Sequence, residues 1–317
     1  MTELTILGTS SMVPTKERNV QAFYLEHLGE GLLFDCGEGT QRQMNIAKLN
    51  RNKIRKILIT HWHGDHVAGL IGLLQTVGHQ LGVQEDEYEK EKTELHLYGP
   101  KGTKQHMHHL QRSVIYEQGK INIHVHELPM ELHKFFENDE YELWCAPLKH
   151  GVPCLGYSFI QKDKRKIDMV RAEKLGLKPG RNIGLLQQGK TILHEDKEIT
   201  PDMISTIEPG KKFTLIADTR RCNEAVMLAE KADLVVIEAT FSKEHEEKAH
   251  DFKHLTAEQA AGIAQQAGAD RLILTHFSQR YKDLNDHLEE ARTLHNNTEL
   301  AFDFMKKQLW KKKVWTA

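Results

Sequence analysis

The stretch "ILITHWHGDHVAGL", residues 57–70, places His61, His63, Asp65 and His66 within six positions at the end of an apolar run. Gathering four such side chains is costly unless a ligand satisfies them. The short continuous apolar run "RKILIT" reads as a buried strand, and "HVAGLIGLLQTVG" (66–78) as a helix. In an extended chain residues 61, 63 and 65 point to one side. His66, entering the helix, can return to the same point. Imidazole and carboxylate ligands without thiolate suit zinc, manganese or iron. Four donors divided between two ions leave each under-coordinated, so further ligands have to come from distant parts of the chain.

Three distant residues have the right context. His150 in "APLKHGV", Asp218 in "LIADTR" and His276 in "LILTHFSQRY" each follow an apparent strand. Loops beyond strand ends are where α/β folds build sites. Singly, each is equally readable as a capping or core polar residue. Jointly with the cluster they supply seven ligands, and one carboxylate bridging two ions would complete both sites. "RKILITH" (55–61) and "DRLILTH" (270–276) share one pattern, with a histidine just past the strand.

Strand-like segments also occur at 2–8 ("TELTILG"), in "NVQAFYLEH", "GLLFDCG", "ELHLYGP", "YELWCAPLKHGV", "CLGYSFIQ", "KFTLIADT" and "DLVVIEAT". "TQRQMNIAKL" and "NEAVMLAEKA" have helical spacing, and Thr256 with Gln259 forms a capping box at another helix start. "QEDEYEKEKTE" (84–94) reads as an exposed acidic loop. This grouping favours a mixed α/β layered fold over pure βαβ winding. The chain has 20 histidines, so most need no special role. "HMHHL" (His106, His108, His109) and "INIHVHEL" (His124, His126) read as solvated or edge positions.

At 317 residues and a net charge of −2, the chain can bury a sizeable core, and any nucleic-acid surface has to be local. Neither the N-terminus nor any later segment resembles a secretory signal or a membrane span. Cys36, Cys145, Cys154 and Cys222 have no metal-binding spacing, which reads as a reduced, cytoplasmic protein.

Beyond the histidine motif, "GTSSMVPTKERN", "FDCGEGTQRQM", "LYGPKG", "KHGV", "ADTR", "EATF" and "LTHFSQRY" occur in order along nearly the whole chain. With H-x-H-x-D-H they resemble the metallo-β-lactamase superfamily and, within it, the tRNA 3′-processing endonuclease family, tRNase Z. The resemblance implies an αββα sandwich: two facing sheets with helices outside and an inserted flexible arm. It implies one zinc on His61, His63 and His150, a second on Asp65, His66 and His276, and Asp218 bridging them. Asp65, His254 and Glu238 would carry catalysis, with His254 as general acid. Where the family usually has His before Glu-Ala-Thr and Ser after the second His, this chain has Ile237 and Leu255. Pro14, Lys16, Arg18 and Asn19 match the family's P-x-K-x-R-N substrate loop.

Residues 161–190 hold nine Lys/Arg against three Asp/Glu. Such a run is usually a solvated face. Here it lies in an insertion, 161–200, where the family carries the arm that grips tRNA; Lys164, Arg165, Lys178 and Arg181 are candidate contacts. "LKPGRN" offers Pro179-Gly180 where the family's arm often has Gly-Pro. The reading is a zinc-dependent endoribonuclease that removes the 3′ trailer of precursor tRNA, as a homodimer. The alternative is a small-molecule hydrolase of the same superfamily (phosphodiesterase, thioesterase or lactonase). A third is an RNA-binding protein without activity, against which the seven filled ligand positions argue.

Overall fold

The computed structural model describes residues 2–80, 93–116 and 121–309. Most of the expected acidic loop, 84–92, lies outside the described residues. Two compact units are present. The larger comprises Met1–Phe136, Leu143–Phe159 and Lys212–Ala317.

Two seven-stranded sheets dominate it. The first runs, edge to edge, Lys306–Gln308, Thr2–Gly8, Ala22–His27, Glu30–Phe34, Ile54–Leu58, Thr93–Gly99 and Ile121–Glu127. The second runs Thr298–Leu300, Leu272–Thr275, Leu234–Glu238, Lys212–Ile216, Cys154–Gln161, Tyr141–Leu148 and His133–Glu137. Aromatic rings join the sheets face to face. Phe34 lies edge-on to Phe213 at 5.6 Å and to Tyr157 at 6.3 Å, and Tyr98 meets Phe135 at 5.0 Å. On the outer face of the first sheet, Leu33, Ile57, Leu95 and Leu97 pack with Leu70, Leu73, Leu74, Val77 and Met107 from two helices. Helices Asn223–Ala229 and Ala257–Gln266 cover the second sheet. This is the expected four-layer α/β sandwich. Each fully buried Leu or Val contributes roughly 1.5–3 kcal/mol.

The parallel strands Lys212–Ile216, Leu234–Glu238 and Leu272–Thr275 are buried at nearly every position, as continuous apolar runs require. Ile237 sits in the middle strand and is fully buried, as is Leu255. The Thr256–Gln259 capping box is present, with both reciprocal bonds made. One expected element is divided. The helix read over 66–78 is two helices, Gly64–Val67 and Leu70–Gln80. Between them the backbone of Gly37 approaches so closely that a Cβ on Gly69 would lie 2.2 Å from its carbonyl oxygen. Gly69 also donates to the carbonyl of Cys36 at 2.9 Å. The break locks the loop carrying His61, His63, Asp65 and His66 to the preceding strand end.

His287, on helix Asn285–Arg292, is fully buried between Phe277 and Tyr281, and neither ring nitrogen has a hydrogen-bond partner among the described residues. Burial pushes its pKa down to about 4, against a pull upward from Asp286. The folded state holds it neutral, so its contribution to stability is fully present above about pH 6.5. That contribution falls as pH drops toward 4, by about 3 kcal/mol in all. Denaturant unfolding between pH 7 and pH 4 checks this: His287→Phe should unfold with a shallower pH dependence than the parent.

The smaller unit comprises Glu137–Glu142 and Ile160–Lys211. Strand Lys164–Ile167 pairs antiparallel with Ser205–Glu208. Helices Met169–Lys174 and Arg181–Gln187 and the hairpin Ile192–His194/Lys197–Ile199 complete it. Ala172, Leu177, Leu186, Ile192, Ile199 and Ile204 form its own apolar core. The charge run therefore sits on folded structure.

Candidate metal centre

Past strand Ile54–Leu58, the chain delivers His61, His63 and, on the short helix Gly64–Val67, Asp65 and His66. Asp35, just beyond Glu30–Phe34 and at φ +56°, holds this loop from beneath. One of its carboxylate oxygens accepts the Thr60 amide at 2.8 Å. The other accepts the Thr60 hydroxyl at 2.9 Å, Gln21 at 3.0 Å and His66 Nδ1 at 2.8 Å. His66 must therefore carry its proton on Nδ1 and turn the Nε2 lone pair inward. Because the Thr60 hydroxyl proton is committed to Asp35, Thr60 accepts from His61 Nδ1 at 3.1 Å, which likewise turns His61 Nε2 inward. A buried carboxylate behind a ligand histidine fixes its tautomer and raises its basicity. Asp35 had no special signal in the sequence beyond its place in "FDCG". Asp35→Asn is expected to weaken metal affinity by 10–100-fold, roughly; titration against a competing chelator measures it, and unchanged affinity would remove Asp35 from this role.

The distant residues arrive at the same point. His150 donates Nδ1–H to the Lys253 carbonyl at 3.1 Å. Its Nε2 lies 3.3 Å from His63 Nδ1, which lies 3.0 Å from His61 Nε2. Asp218 Oδ2 is 3.7 Å from His61 Nε2 and 3.9 Å from His150 Nε2. The other oxygen, Oδ1, is 3.5 Å from His66 Nε2 and 3.4 Å from His276 Nε2. Asp65 Oδ2 is 3.5 Å from each of those two nitrogens. Ligands about 2.0–2.1 Å from a tetrahedral ion lie about 3.3–3.4 Å from one another. Both groups approximate that spacing, and Asp218 offers one oxygen to each.

Three atoms test the fit. His66 Nε2, His276 Nε2 and Asp218 Oδ1 are buried, and none has a hydrogen-bond partner among the described residues. Such groups are expensive to leave unsatisfied, and a cation would satisfy all three. The local field agrees. Burial pushes the Asp218 and Asp65 carboxyls up, but His66 and His276 overcome it and hold both well below the usual range. Burial lowers His66 in turn, but Asp218, Asp35 and Asp65 overcome it and hold the imidazole well above its ordinary value, so the pocket favours positive charge, as a proton or as a cation. The His61 imidazole is pushed down by burial, as is His150. The His/Asp cluster is a metal-binding site.

Beside it lies a second layer. Glu238, fully buried at the end of Leu234–Glu238, accepts the Thr219 amide at 2.8 Å and His254 Nδ1 at 2.9 Å through Oε1. Its Oε2 accepts the Thr240 hydroxyl at 2.6 Å. That hydroxyl then accepts His276 Nδ1–H at 3.0 Å, so His276 also presents Nε2. Thr240 is a further residue that the motif alone did not single out. Burial lowers the His254 pKa, but Glu238 and then Asp218 raise it, to about 9. His254 thus stands protonated at neutral pH, held by Nδ1, next to the cluster.

The loop carrying Pro14, Lys16, Arg18 and Asn19 runs along this site. Strand Ser10–Ser11 pairs with Phe277–Ser278, directly after His276. Arg18 donates to the carbonyls of Ser278 and Tyr281, and Asn19 to that of Glu38. Asp303 accepts the Thr9 hydroxyl, the Asn19 amide and Gln43. Arg18 and Asn19 therefore brace the loop, Pro14 is half-buried, and Lys16 is exposed. In the smaller unit, Lys164 pairs with Glu140 and Arg165 with Asp202. Lys178 and Arg181, both exposed, line a cavity of about 430 Å³ with Asn182 and His194. Of the histidines read as solvated or edge, His124 is exposed on the edge strand Ile121–Glu127. His108 and His109 are exposed on helix Thr103–Arg112, and His106 stacks on Trp62 at 5.0 Å.

Two facing sheets with a histidine–aspartate cluster at their strand ends define a metallo-β-lactamase-fold hydrolase. Residues 15–142 match the metallo-β-lactamase superfamily and 188–277 a β-lactamase superfamily domain. The chain is 41% identical over 309 residues to ribonuclease Z of Bacillus cereus, covering 95% of this chain and 97% of that one. It is 38% identical over 312 residues to ribonuclease Z of Gloeothece citriformis, covering 95% and 94%. The solved structure of the short form of human tRNase Z superposes with a TM-score of 0.70 at 27% identity, covering 98% of this chain and 100% of that one. The chain belongs to the ribonuclease Z family. No described helix is long and apolar enough to cross a membrane.

Proposed function

We propose that this chain is a zinc-dependent endoribonuclease that removes the 3′ trailer from precursor tRNA. The observation that carries the reading is the split Asp218 carboxylate. One oxygen faces His61 and His150, and the other faces His66 and His276. The ~40% identity to enzymes named ribonuclease Z supplies the substrate class.

Two zinc ions per subunit fit the donor set, one on His61, His63 and His150, the other on Asp65, His66 and His276, with Asp218 shared. Bound there, they supply Lewis-acid polarisation of the scissile phosphate and lower the pKa of water. Asp65 orients the attacking water. As the water oxygen bonds to phosphorus it releases a proton to solvent, the bond to the 3′ oxygen breaks, and His254 protonates that oxygen. Glu238 keeps His254 aimed and charged while it does so. The products are a 3′-hydroxyl tRNA and a trailer with a 5′-phosphate.

The metal site belongs to one metallo-β-lactamase-fold domain, and the basic insertion, 161–200, is the tRNA-binding arm. Its exposed Lys178 and Arg181 contact backbone phosphate, which gives affinity without base reading. Lys164 and Arg165 supply charge already shared with Glu140 and Asp202. Lys16, with Pro14, Arg18 and Asn19 as its frame, contacts the RNA 3′ end. The protein works in the cytoplasm as a homodimer. Incubation with a 3′-extended precursor tRNA tests the central step. Cleavage that stops on chelation and returns with added zinc supports it; cleavage indifferent to chelator contradicts it.

A further inference from the structure

Met12 has three properties that rarely coincide. Its φ is +60°, a conformation that favours glycine. The residue is 78% exposed. Its backbone N–H donates to Asp65 Oδ2 at 2.8 Å, the same oxygen that faces His66 and His276. The residue is therefore one hydrogen bond from the metal centre, and the chain on its N-terminal side is strapped to the strand following His276. On its C-terminal side, the Ser10 hydroxyl donates to the Val13 carbonyl at 2.6 Å. Backbone held in a disfavoured region by its surroundings tends to mark functional positions. Here the strain presents an unbranched thioether to solvent at the rim of a site lined by charged and polar groups.

We infer that Met12 packs against the face of a nucleobase flanking the scissile phosphate, and so positions the RNA and biases cleavage by base identity. A thioether is polarizable and adaptable and makes favourable contacts with aromatic rings. Its mounting on a fixed backbone lowers the ordering cost of that contact. The Asp65 bond uses only the Met12 backbone, so the side chain is free for substrate. The inference rests on the endoribonuclease reading.

Met12→Gly isolates the side chain, because glycine adopts φ +60° without strain and keeps the N–H to Asp65. On precursor tRNA its KM should rise roughly two- to ten-fold with kcat little changed. Removing the base from one of the two nucleotides flanking the cut should raise the KM of the parent by a similar factor. The same abasic precursor should then leave Met12→Gly unaffected, since the partner is already gone. Met12→Leu should retain most of the sensitivity. An unchanged KM in Met12→Gly, or a variant as sensitive as the parent to base loss at both positions, overturns the inference while leaving the function intact. A parent chain that does not cleave precursor tRNA overturns both.

Discussion

Changing His254 to alanine is expected to lower kcat on precursor tRNA by about 10²–10⁴-fold while leaving bound metal unchanged. Its Nδ1 is committed to Glu238, and burial leaves the side chain only 13% exposed. The ring stands beside Asp218 and His276, close enough that those three alone present a plausible ligand trio. The two roles separate cleanly. A proton donor lost costs rate, whereas a ligand lost costs metal. Single-turnover cleavage and metal analysis on the same preparation measure both. Loss of metal from His254→Ala would make the histidine a ligand, and an undiminished rate would remove it from the acid step.

Asp218→Ala carries the larger expected effect, because no other residue in the cluster faces both ligand groups. We expect loss of most bound metal and a fall in activity of roughly 10⁴-fold or more. Without the carboxylate, His61, His66, His150 and His276 face one another with no anion shared between them. His61→Ala touches one group only, so it should retain metal at Asp65, His66 and His276. Metal per chain, measured by mass spectrometry, distinguishes the two variants. Equal metal retention in both would show that Asp218 does not bridge.

The clustered histidines and aspartates were legible because the chain delivers them where strands stop or just beyond, and an apolar run ending in His or Asp is visible without coordinates. The same runs pointed to a mixed α/β layered fold, and the family resemblance narrowed it to a sandwich. What supports the ligands was not legible. Asp35 and Thr240 act through hydrogen bonds to residues 25 to 36 positions away, and a lone Asp or Thr after a strand has many uses. The break at Gly69 depends on how closely the Gly37 backbone approaches. No periodicity encodes that distance. The basic insertion was visible as charge, but its apolar core, with Leu177, Leu186 and Ile204, is spread among lysines and glycines too thinly to show a period. Met12 gave no signal at all, since a positive φ in a residue with a side chain is imposed by its surroundings.

The most direct test of the central claim is single-nucleotide mapping of both product ends after digestion of a 3′-extended precursor tRNA. One cut is expected at the 3′ end of the tRNA body, with a 3′-hydroxyl on the tRNA and a 5′-phosphate on the trailer, abolished by chelator. Cuts scattered along the RNA, or a 2′,3′-cyclic phosphate on the tRNA, would contradict it.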